Sequence, residues 1–137
     1  MRSFFDTNVL VYLFDAGAPE KQARARALLH DEVAAGRAIL STQVVQEFYV
    51  TVTRKLARPL APDLAHTAVE QLCALPLVTV NTDLIKAATG RNMRDALSFW
   101  DALIVETALS CAASTLWSED MQHGQRVEGL TIKNPFA

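Results

Sequence analysis

Four acidic residues carry the strongest chemical signal in this sequence: Asp6, Glu47, Asp101 and Asp120. Asp6 interrupts the stretch FFDTNVL between two apolar runs that both have a buried character. Carboxylates brought close together raise one another's pKa values, and a divalent cation removes that repulsion. Oxygen ligands without histidine or cysteine favour Mg²⁺ or Mn²⁺ over Zn²⁺. Because such an ion binds phosphate oxygens and lowers the pKa of a bound water, the chemistry indicated is hydrolysis of a phosphodiester.

The elements that must position these acids alternate between short apolar runs of strand length and longer helical patterns. This order predicts an α/β fold of three α/β/α layers, with a central parallel sheet of about five strands flanked by helices. The 137-residue sequence shows no linker or internal repeat, so we expect a single domain over residues 1–137. The predicted strands are 3–5, 38–40, 77–80, 114–117 and 130–133.

Helix-start residues place the helices between these strands. Pro19 and Pro62 favour a helical first turn, and Thr42, Thr82 and Ser98 are the predicted N-caps. The β-branched run VVQEFYVTVT is predicted to be helical, because its apolar residues recur every four positions. In a parallel sheet the carboxyl ends of the strands and the following helix N-termini lie along one edge, and we expect the acids to meet there.

Each acid also has an ordinary structural interpretation. Asp6 is suited to cap the first helix, and Asp101 follows Ser98 by three residues, as in a capping box. Glu47 fits a solvated helix position, and Asp120 fits a turn after Ser118-Glu119. These interpretations are reasonable one at a time, but the convergence of all four acids on one sheet edge favours a shared site.

Two neutral polar residues lie near the same predicted edge. Asn8 follows Asp6 by two positions, and Ser118 precedes Asp120 by two positions. Both side chains can orient a carboxylate or a phosphate, and both are equally common in turns and helix caps. We therefore predict them as supporting polar residues of the site and leave the turn interpretation open.

The overall composition excludes several classes of protein. The net charge of −2 argues against a non-specific nucleic-acid binder, which is normally basic. No apolar run has the roughly 18 residues of a membrane span, and the N-terminus does not resemble a signal peptide. Cys73 and Cys111 are predicted to be reduced core residues of a cytoplasmic protein, and the three scattered histidines make no zinc-binding spacing.

Basic residues gather in two segments, TRKLAR and KAATGRNMR. Arg54 and Lys55 in the first, and Arg91 and Arg94 in the second, are candidates for contacts with RNA phosphates. Solvated helix ends explain the same residues, since cations stabilise a helix C-terminus. Among the aromatic residues, the spacing predicts that Trp100 is mostly buried in the core.

Five segments together resemble the PIN-domain ribonucleases, and among them the VapC-type toxins of bacterial toxin–antitoxin pairs. These segments are DTNVLVYLFD, STQVVQEF, LSFWDALIVETA, LWSEDMQHGQ and the terminal NPF. The resemblance implies a five-stranded parallel sheet, an endoribonuclease dependent on Mg²⁺ or Mn²⁺, and a cognate antitoxin. It maps the four acids of that family onto Asp6, Glu47, Asp101 and Asp120. It also maps the family's polar positions onto Asn8 and Ser118, while Glu119 and His123 receive no role, with His123 expected to face solvent.

The sequence therefore predicts a metal-dependent endoribonuclease that acts as a growth-inhibiting toxin. Its expected partners are an RNA substrate, a cognate antitoxin and a second copy of the chain in a homodimer, with no membrane contact. Two alternatives remain: a catalytically silent PIN-like scaffold that only binds a partner, and a receiver-like signalling domain. A receiver would require an aspartate at the end of the third strand, where this sequence has Val80-Asn81.

Overall fold

The computed structural model describes residues 1–137 and has the alternating order of strands and helices that the sequence predicts. Five strands are mutually parallel, and the sheet order is β3-β2-β1-β4-β6-β5. The strands are β1 (Arg2–Phe5), β2 (Ala38–Ser41), β3 (Leu77–Val78), β4 (Ala113–Trp117), β5 (Arg126–Val127) and β6 (Leu130–Lys133). The helices are α1 (Thr7–Tyr12), α2 (Pro19–Ala34), α3 (Thr42–Arg54), α4 (Pro62–Cys73), α5 (Thr82–Arg94) and α6 (Phe99–Ser110).

The predicted α/β class and parallel sheet are confirmed, with one additional strand. β5 has only two residues and pairs antiparallel with β6 at the edge of the sheet. A strand this short, with an exposed residue at its first position, contains no apolar run that the sequence pattern could reveal. The helices form two packed groups, α1 to α4 and α5 with α6, in keeping with the three predicted layers.

The hydrophobic core is centred on β1. Phe4 and Phe5 are fully buried, and Phe4 lies opposite Ile39 of β2 and Leu116 of β4. Strands covered on both faces are expected to read as continuous apolar runs, and this accounts for the FF and AIL sequences. The rigid central strand therefore ends next to residue 6.

Two predicted helix caps are shifted by one residue. Ser41, rather than Thr42, accepts the amide hydrogen of Val44 at the start of α3. The hydroxyl of Thr42 instead accepts a hydrogen bond from the backbone N–H of Val80, at 3.1 Å. At α5 the cap is Asn81 rather than Thr82, while Ser98 caps α6 as predicted. Adjacent polar residues compete for the cap, and the tertiary contact of Thr42 decides the first case.

The cysteine prediction is wrong in part. Cys73, at the end of α4, is exposed, whereas Cys111 is partly buried; neither forms a disulfide. The apolar pattern around position 73 continues to the last turn of α4, where the helix leaves the core. None of the helices combines the length and the apolar character that a membrane span requires.

Candidate active site

Asp6 serves both as a helix cap and as the innermost acid of a cleft. It lies directly after β1, and its backbone N–H continues the sheet pairing by donating to the carbonyl of Trp117 at 2.9 Å. Its Oδ1 accepts the backbone N–H of Thr7 at 2.7 Å, which caps α1. Only 6 % of the residue is exposed. The capping interpretation and the site interpretation of Asp6 are therefore compatible, because each uses a different carboxylate oxygen.

The second oxygen of Asp6 connects it to the loop after β4. Oδ2 accepts hydrogen bonds from Ser118 Oγ at 2.8 Å and from Asn8 Nδ2 at 3.3 Å. Asn8 Nδ2 also donates to Oδ2 of Asp120 at 3.0 Å, so one amide group bridges two acids. The carbonyl oxygen of Asn8 accepts the backbone N–H of Glu119 at 3.1 Å, which fixes the orientation of that amide. The structure thus places both predicted supporting polar residues, Asn8 and Ser118, in contact with the acids.

Glu47 and Asp101 reach the same cleft from two helices. Glu47 lies in the second turn of α3 and accepts a hydrogen bond from Thr7 Oγ1 at 2.7 Å. Asp101 lies in the first turn of α6, where its backbone N–H is capped by Ser98 Oγ at 3.1 Å. The cap holds the backbone of Asp101, and the residue lines the cleft; burial raises the pKa of its carboxyl group, and a hydrogen bond with Ser98 opposes that rise. Thr7 was not a candidate from the sequence, although its position inside DTN, beside Asp6, was a signal.

These four acids line one cleft of about 770 Å³. Apolar side chains from α1, α3 and α6 form its walls, including Val11, Val50 and Trp100. Six acidic residues lie along the cleft, and Lys55 is the one basic residue among them. The cleft is therefore strongly negative, with far fewer cations than carboxylates. The acidic residues are Asp6, Asp15, Glu47, Asp101, Glu119 and Asp120.

The acids of the cleft disfavour one another's ionisation. Burial raises the pKa of Asp6 to about 6; hydrogen bonds from Ser118 and Thr7 oppose this shift, and the charges of Asp101 and Asp120 add to it. Burial also raises the pKa of Asp101, with further contributions from Asp120 and Glu47. Excess negative charge in a partly buried site is the condition that a bound cation relieves.

The donor set suits a hydrated Mg²⁺ or Mn²⁺ ion. The four converging acids, Asp6, Glu47, Asp101 and Asp120, offer carboxylate oxygens, which are the ligands that these ions prefer. As the side chains stand, no group of three or more acidic, histidine or cysteine residues is arranged to hold an ion by itself. Mg²⁺ typically keeps several waters and takes only one or two protein carboxylates directly, so the wider arrangement fits this ion better than Zn²⁺.

Glu119 is next to Asp120 but is engaged elsewhere. Its carboxylate accepts hydrogen bonds from Tyr12 Oη at 2.7 Å and from Lys21 Nζ at 2.5 Å. Burial, and then the hydrogen bond to Glu119, raises the pKa of Tyr12, so the phenol keeps its proton and donates it. Phe136, near the C-terminus, packs edge-to-face on the Tyr12 ring at 5.0 Å. Glu119 therefore anchors the loop that carries Asp120 to α1 and α2.

The other residue without a predicted role, His123, lies outside the cleft. It is exposed, as expected, and its Nδ1 accepts the backbone N–H of Asn134 at 2.8 Å. The anchoring partners of Glu119 were missed because Tyr12 and Lys21 lie about a hundred residues away from it in sequence. No local motif connects positions so distant.

The four basic candidates have different environments. Lys55 lines the cleft, and Arg54 and Arg94 are exposed but do not line it. Arg91 is buried, with ion pairs to Glu106, Glu128 and Asp95 at 2.7, 2.6 and 3.1 Å. The prediction that Arg91 contacts RNA is therefore wrong, since its guanidinium is already occupied by three carboxylates.

Trp100 also departs from its prediction. Its position in an almost uniformly apolar helix favoured the core, yet 59 % of the residue is exposed on the wall of the cleft. The buried residues of α6 begin at Ala102, and Phe99 before it is partly buried. At the start of this helix, Phe99 therefore packs against the core and Trp100 does not.

A mostly parallel α/β sheet with a carboxylate-lined cleft beside its central strand defines the class of this protein. The model of the PIN domain family matches residues 3–126, and the chain belongs to that family. The family resemblance of the sequence is thereby confirmed, and the receiver-like alternative is excluded. No curated protein matches the chain by sequence.

Three solved structures show the same fold. A toxin–antitoxin complex from Klebsiella pneumoniae contains a chain with a TM-score of 0.72 and 18 % identity, over 97 % of both chains. DNA-bound VapBC from Salmonella typhimurium gives a TM-score of 0.71 and 16 % identity, over 98 % of both chains. VapC20 of Mycobacterium tuberculosis, a sarcin-ricin loop cleaving toxin, gives 0.64 and 18 %, over 86 % of this chain and 89 % of that chain. At sequence identities of 16–18 %, this structural similarity establishes the fold of the chain.

Proposed function

We propose that this protein is a divalent-metal-dependent endoribonuclease, and that it is the VapC-type toxin of a toxin–antitoxin pair. The observation that carries the proposal is the convergence of Asp6, Glu47, Asp101 and Asp120 on one cleft of a PIN-domain fold. These acids come from four separate parts of the chain and have no basic residue hydrogen-bonded to them. The similarity to VapC20, a sarcin-ricin loop cleaving toxin, gives further support.

Some residues of the proposed site would hold the ion, and others hold those ligands in position. Asp6, Glu47, Asp101 and Asp120 would hold Mg²⁺ or Mn²⁺, directly or through water. When bound, the ion lowers the pKa of a bound water and neutralises charge on the phosphate. Pre-organisation of the ligands matters because a preset arrangement of charges needs no reorganisation during the reaction.

Three neutral side chains supply that pre-organisation. Ser118 and the backbone of Thr7 fix the two oxygens of Asp6, while Asn8 bridges Asp6 and Asp120. The hydroxyl of Thr7 orients Glu47 through a 2.7 Å hydrogen bond. The DTN segment therefore controls three of the four acids.

Lys55 is the one basic side chain on the cleft that could contact a phosphate of the substrate.

The proposed partners are a cognate antitoxin in the cytoplasm and a second copy of the chain. The similar structures from Klebsiella and Salmonella are toxin–antitoxin assemblies, which supports the antitoxin. Large apolar residues exposed away from the cleft, among them Leu64, Ile85 and Met93, leave surface for protein contacts. Light scattering of the purified protein at several concentrations measures its oligomeric state.

The decisive experiment is incubation of the purified, antitoxin-free protein with total cellular RNA in the presence of Mg²⁺, Mn²⁺ or EDTA. We expect discrete RNA fragments that require the metal. Asp101→Asn removes a metal-binding charge with little change of shape, and we expect cleavage to fall about 10³-fold, the several kcal/mol supplied by metal-ion catalysis. Asp83→Asn is the matched control, because Asp83 lies in the first turn of α5 and outside the cleft.

The outcomes of this assay distinguish a nuclease from a catalytically silent scaffold. Metal-dependent fragments that disappear with Asp101→Asn, but remain with Asp83→Asn, would establish the nuclease. Equal cleavage by wild type and Asp101→Asn would attribute the activity to a contaminant. A folded protein that cleaves no RNA with either metal would favour the silent scaffold that binds a partner without catalysis.

A further inference from the structure

Trp100 is a large apolar side chain exposed beside the proposed catalytic acids. It belongs to neither hydrophobic cluster of the core and immediately precedes Asp101 in α6. Burial of aromatic surface is a major source of folding free energy, and this residue forgoes much of it. An exposed indole in a cleft is therefore better explained by a ligand than by folding.

The structure holds the tryptophan on a rigid support. Its ring packs edge-to-face against Phe99, with centroids 5.0 Å apart, and Phe99 in turn packs on a small buried cluster of α5 and α6. The buried side chain of Gln43 donates from Nε2 to the backbone carbonyl of Trp100 at 3.2 Å. Because these contacts fix the base of the side chain, the indole is presented to the cleft in a defined position.

The charges of the cleft limit how it can bind RNA. Lys55 is the only basic residue that lines the cleft, Lys21 is already paired with Glu119, and the whole chain carries a net charge of −2. Binding through phosphates alone requires many basic contacts, which are missing here. Aromatic stacking is a contribution to single-stranded RNA binding that does not depend on positive charge.

We propose that Trp100 stacks on an unpaired base next to the phosphodiester that is cleaved, and that it thereby binds the single-stranded part of the substrate. This inference rests on the proposed ribonuclease function. Bases in a duplex are stacked on one another and their faces are inaccessible, whereas bases in loops and single strands can lie on an aromatic ring. Trp100 then selects the structure of the RNA, while the acids act on its backbone.

Fluorescence provides a direct test because the chain has only two tryptophans. The variant Trp117→Phe leaves Trp100 as the only indole, and it removes a buried Nε1 that has no hydrogen-bond partner. Combined with Asp120→Asn to slow cleavage, this protein is titrated with a short single-stranded RNA of mixed sequence, and with the same RNA annealed to its complement. We expect saturable quenching by the single strand and little by the duplex.

Kinetics of the active protein provide the second readout. For the single-stranded RNA, Trp100→Ala is expected to raise KM about tenfold, within the range that one lost stacking contact gives. We expect kcat to change less than about threefold, and Trp100→Phe to recover most of the loss because it keeps an aromatic face. Leu64→Ala is the matched control, since Leu64 is also 59 % exposed but lies outside the cleft.

The outcomes distinguish this inference from the function on which it rests. If wild type cleaves RNA with metal but Trp100→Ala keeps the same KM, stacking is disproved and the nuclease stands. If the single strand quenches Trp100 but wild type cleaves nothing, stacking stands and the nuclease is disproved. If the fluorescence responds to protein concentration and not to RNA, Trp100 lies in a contact between copies, and the inference is overturned.

Discussion

Two clusters of carboxylates in this protein differ in one respect, the presence of a cation. In the cleft, Asp6 and Asp120 share the amide of Asn8, and no basic side chain is hydrogen-bonded to either. In the second cluster, Arg91 of α5 forms ion pairs with Asp95, with Glu106 of α6 and with Glu128, which follows β5. Only the second cluster contains its own neutralising charge.

The difference separates an acid cluster suited to stabilising the fold from one suited to binding an exchangeable ion. Arg91 connects two helices to the turn between β5 and β6, and its planar guanidinium presents several donors at fixed angles. The guanidinium lies within hydrogen-bonding distance of all three carboxylates, so each acid of this cluster already has a cationic partner. The cleft, in contrast, keeps buried negative charge that raises the pKa values of Asp6 and Asp101.

The largest effect that would test this comparison is the loss of the internal cation. Arg91→Ala leaves the carboxylate of Glu106, only 15 % exposed, without a partner. Because Asp95 and Glu128 are more exposed, we expect destabilisation near the lower end of the range for a broken buried ion pair, about 3 kcal/mol. Urea denaturation measures this change, and Arg94→Ala, at an exposed position of the same helix, is the control.

The same two variants can also contradict the comparison between the clusters. If Arg91→Ala is as stable as Arg94→Ala, the second cluster contributes nothing to the fold and the contrast with the cleft fails. At temperatures where both variants remain folded, we expect metal-dependent cleavage to be retained, because Arg91 does not line the cleft.

A smaller effect concerns the buried charge of Asp6 in the absence of metal. Its pKa is near 6 in the folded protein and 3.8 as the ordinary value, so the folded state binds more protons between these values. Stability therefore falls as pH rises from about 4 to about 6, by at most about 3 kcal/mol for a pKa raised this far. We expect this contribution in wild type in EDTA and its absence in Asp6→Asn.

The measurement is the difference in unfolding free energy between wild type and Asp6→Asn at each pH, since common carboxylates cancel in that difference. The unfolding free energy of wild type should fall relative to that of the variant as pH rises from about 4 to about 6, and the difference should then stay constant. A difference that is constant with pH would show that the charge of Asp6 is not destabilising. Addition of Mg²⁺ at neutral pH should restore the stability of wild type, because a ligand bound to the folded state stabilises it.

The convergence of the acids could be predicted from the sequence because it follows from the order of the elements. Asp6 comes directly after an apolar strand, and Asp101 comes in the first turn of a helix with a clear serine cap. In a parallel sheet such positions share one edge whatever the details of packing. Local patterns therefore sufficed for the fold and for the placement of these acids in one cleft.

The errors concern residues whose environment depends on distant parts of the chain. Arg91 was assigned to a solvated or RNA-binding surface because its partners Glu106 and Glu128 are 15 and 37 residues away. Trp100 was assigned to the core because α6 is apolar on nearly every side, so its periodicity does not show which face is buried. Side-chain partners of this kind are set by tertiary packing, to which sequence patterns are insensitive.

The smallest predicted effect concerns Glu119, an acid on the cleft that has its own cation. Its ion pair with Lys21 is partly exposed, and such pairs contribute little to stability. Glu119→Gln keeps an oxygen for Tyr12 and leaves the backbone N–H that holds Asn8 unchanged. We therefore expect a loss of cleavage below about tenfold, the lower limit for a changed supporting contact at a metal site.

Asp120→Asn is the comparison for that variant, because it changes the adjacent acid by the same loss of charge. We expect cleavage by Asp120→Asn to fall by about 10²-fold or more, since no basic side chain replaces the lost interaction with the ion. Initial cleavage rates at saturating Mg²⁺ measure both variants. Equal losses at the two positions would mean that Glu119 also acts on the ion, and that an internal cation does not mark an acid as structural in this protein.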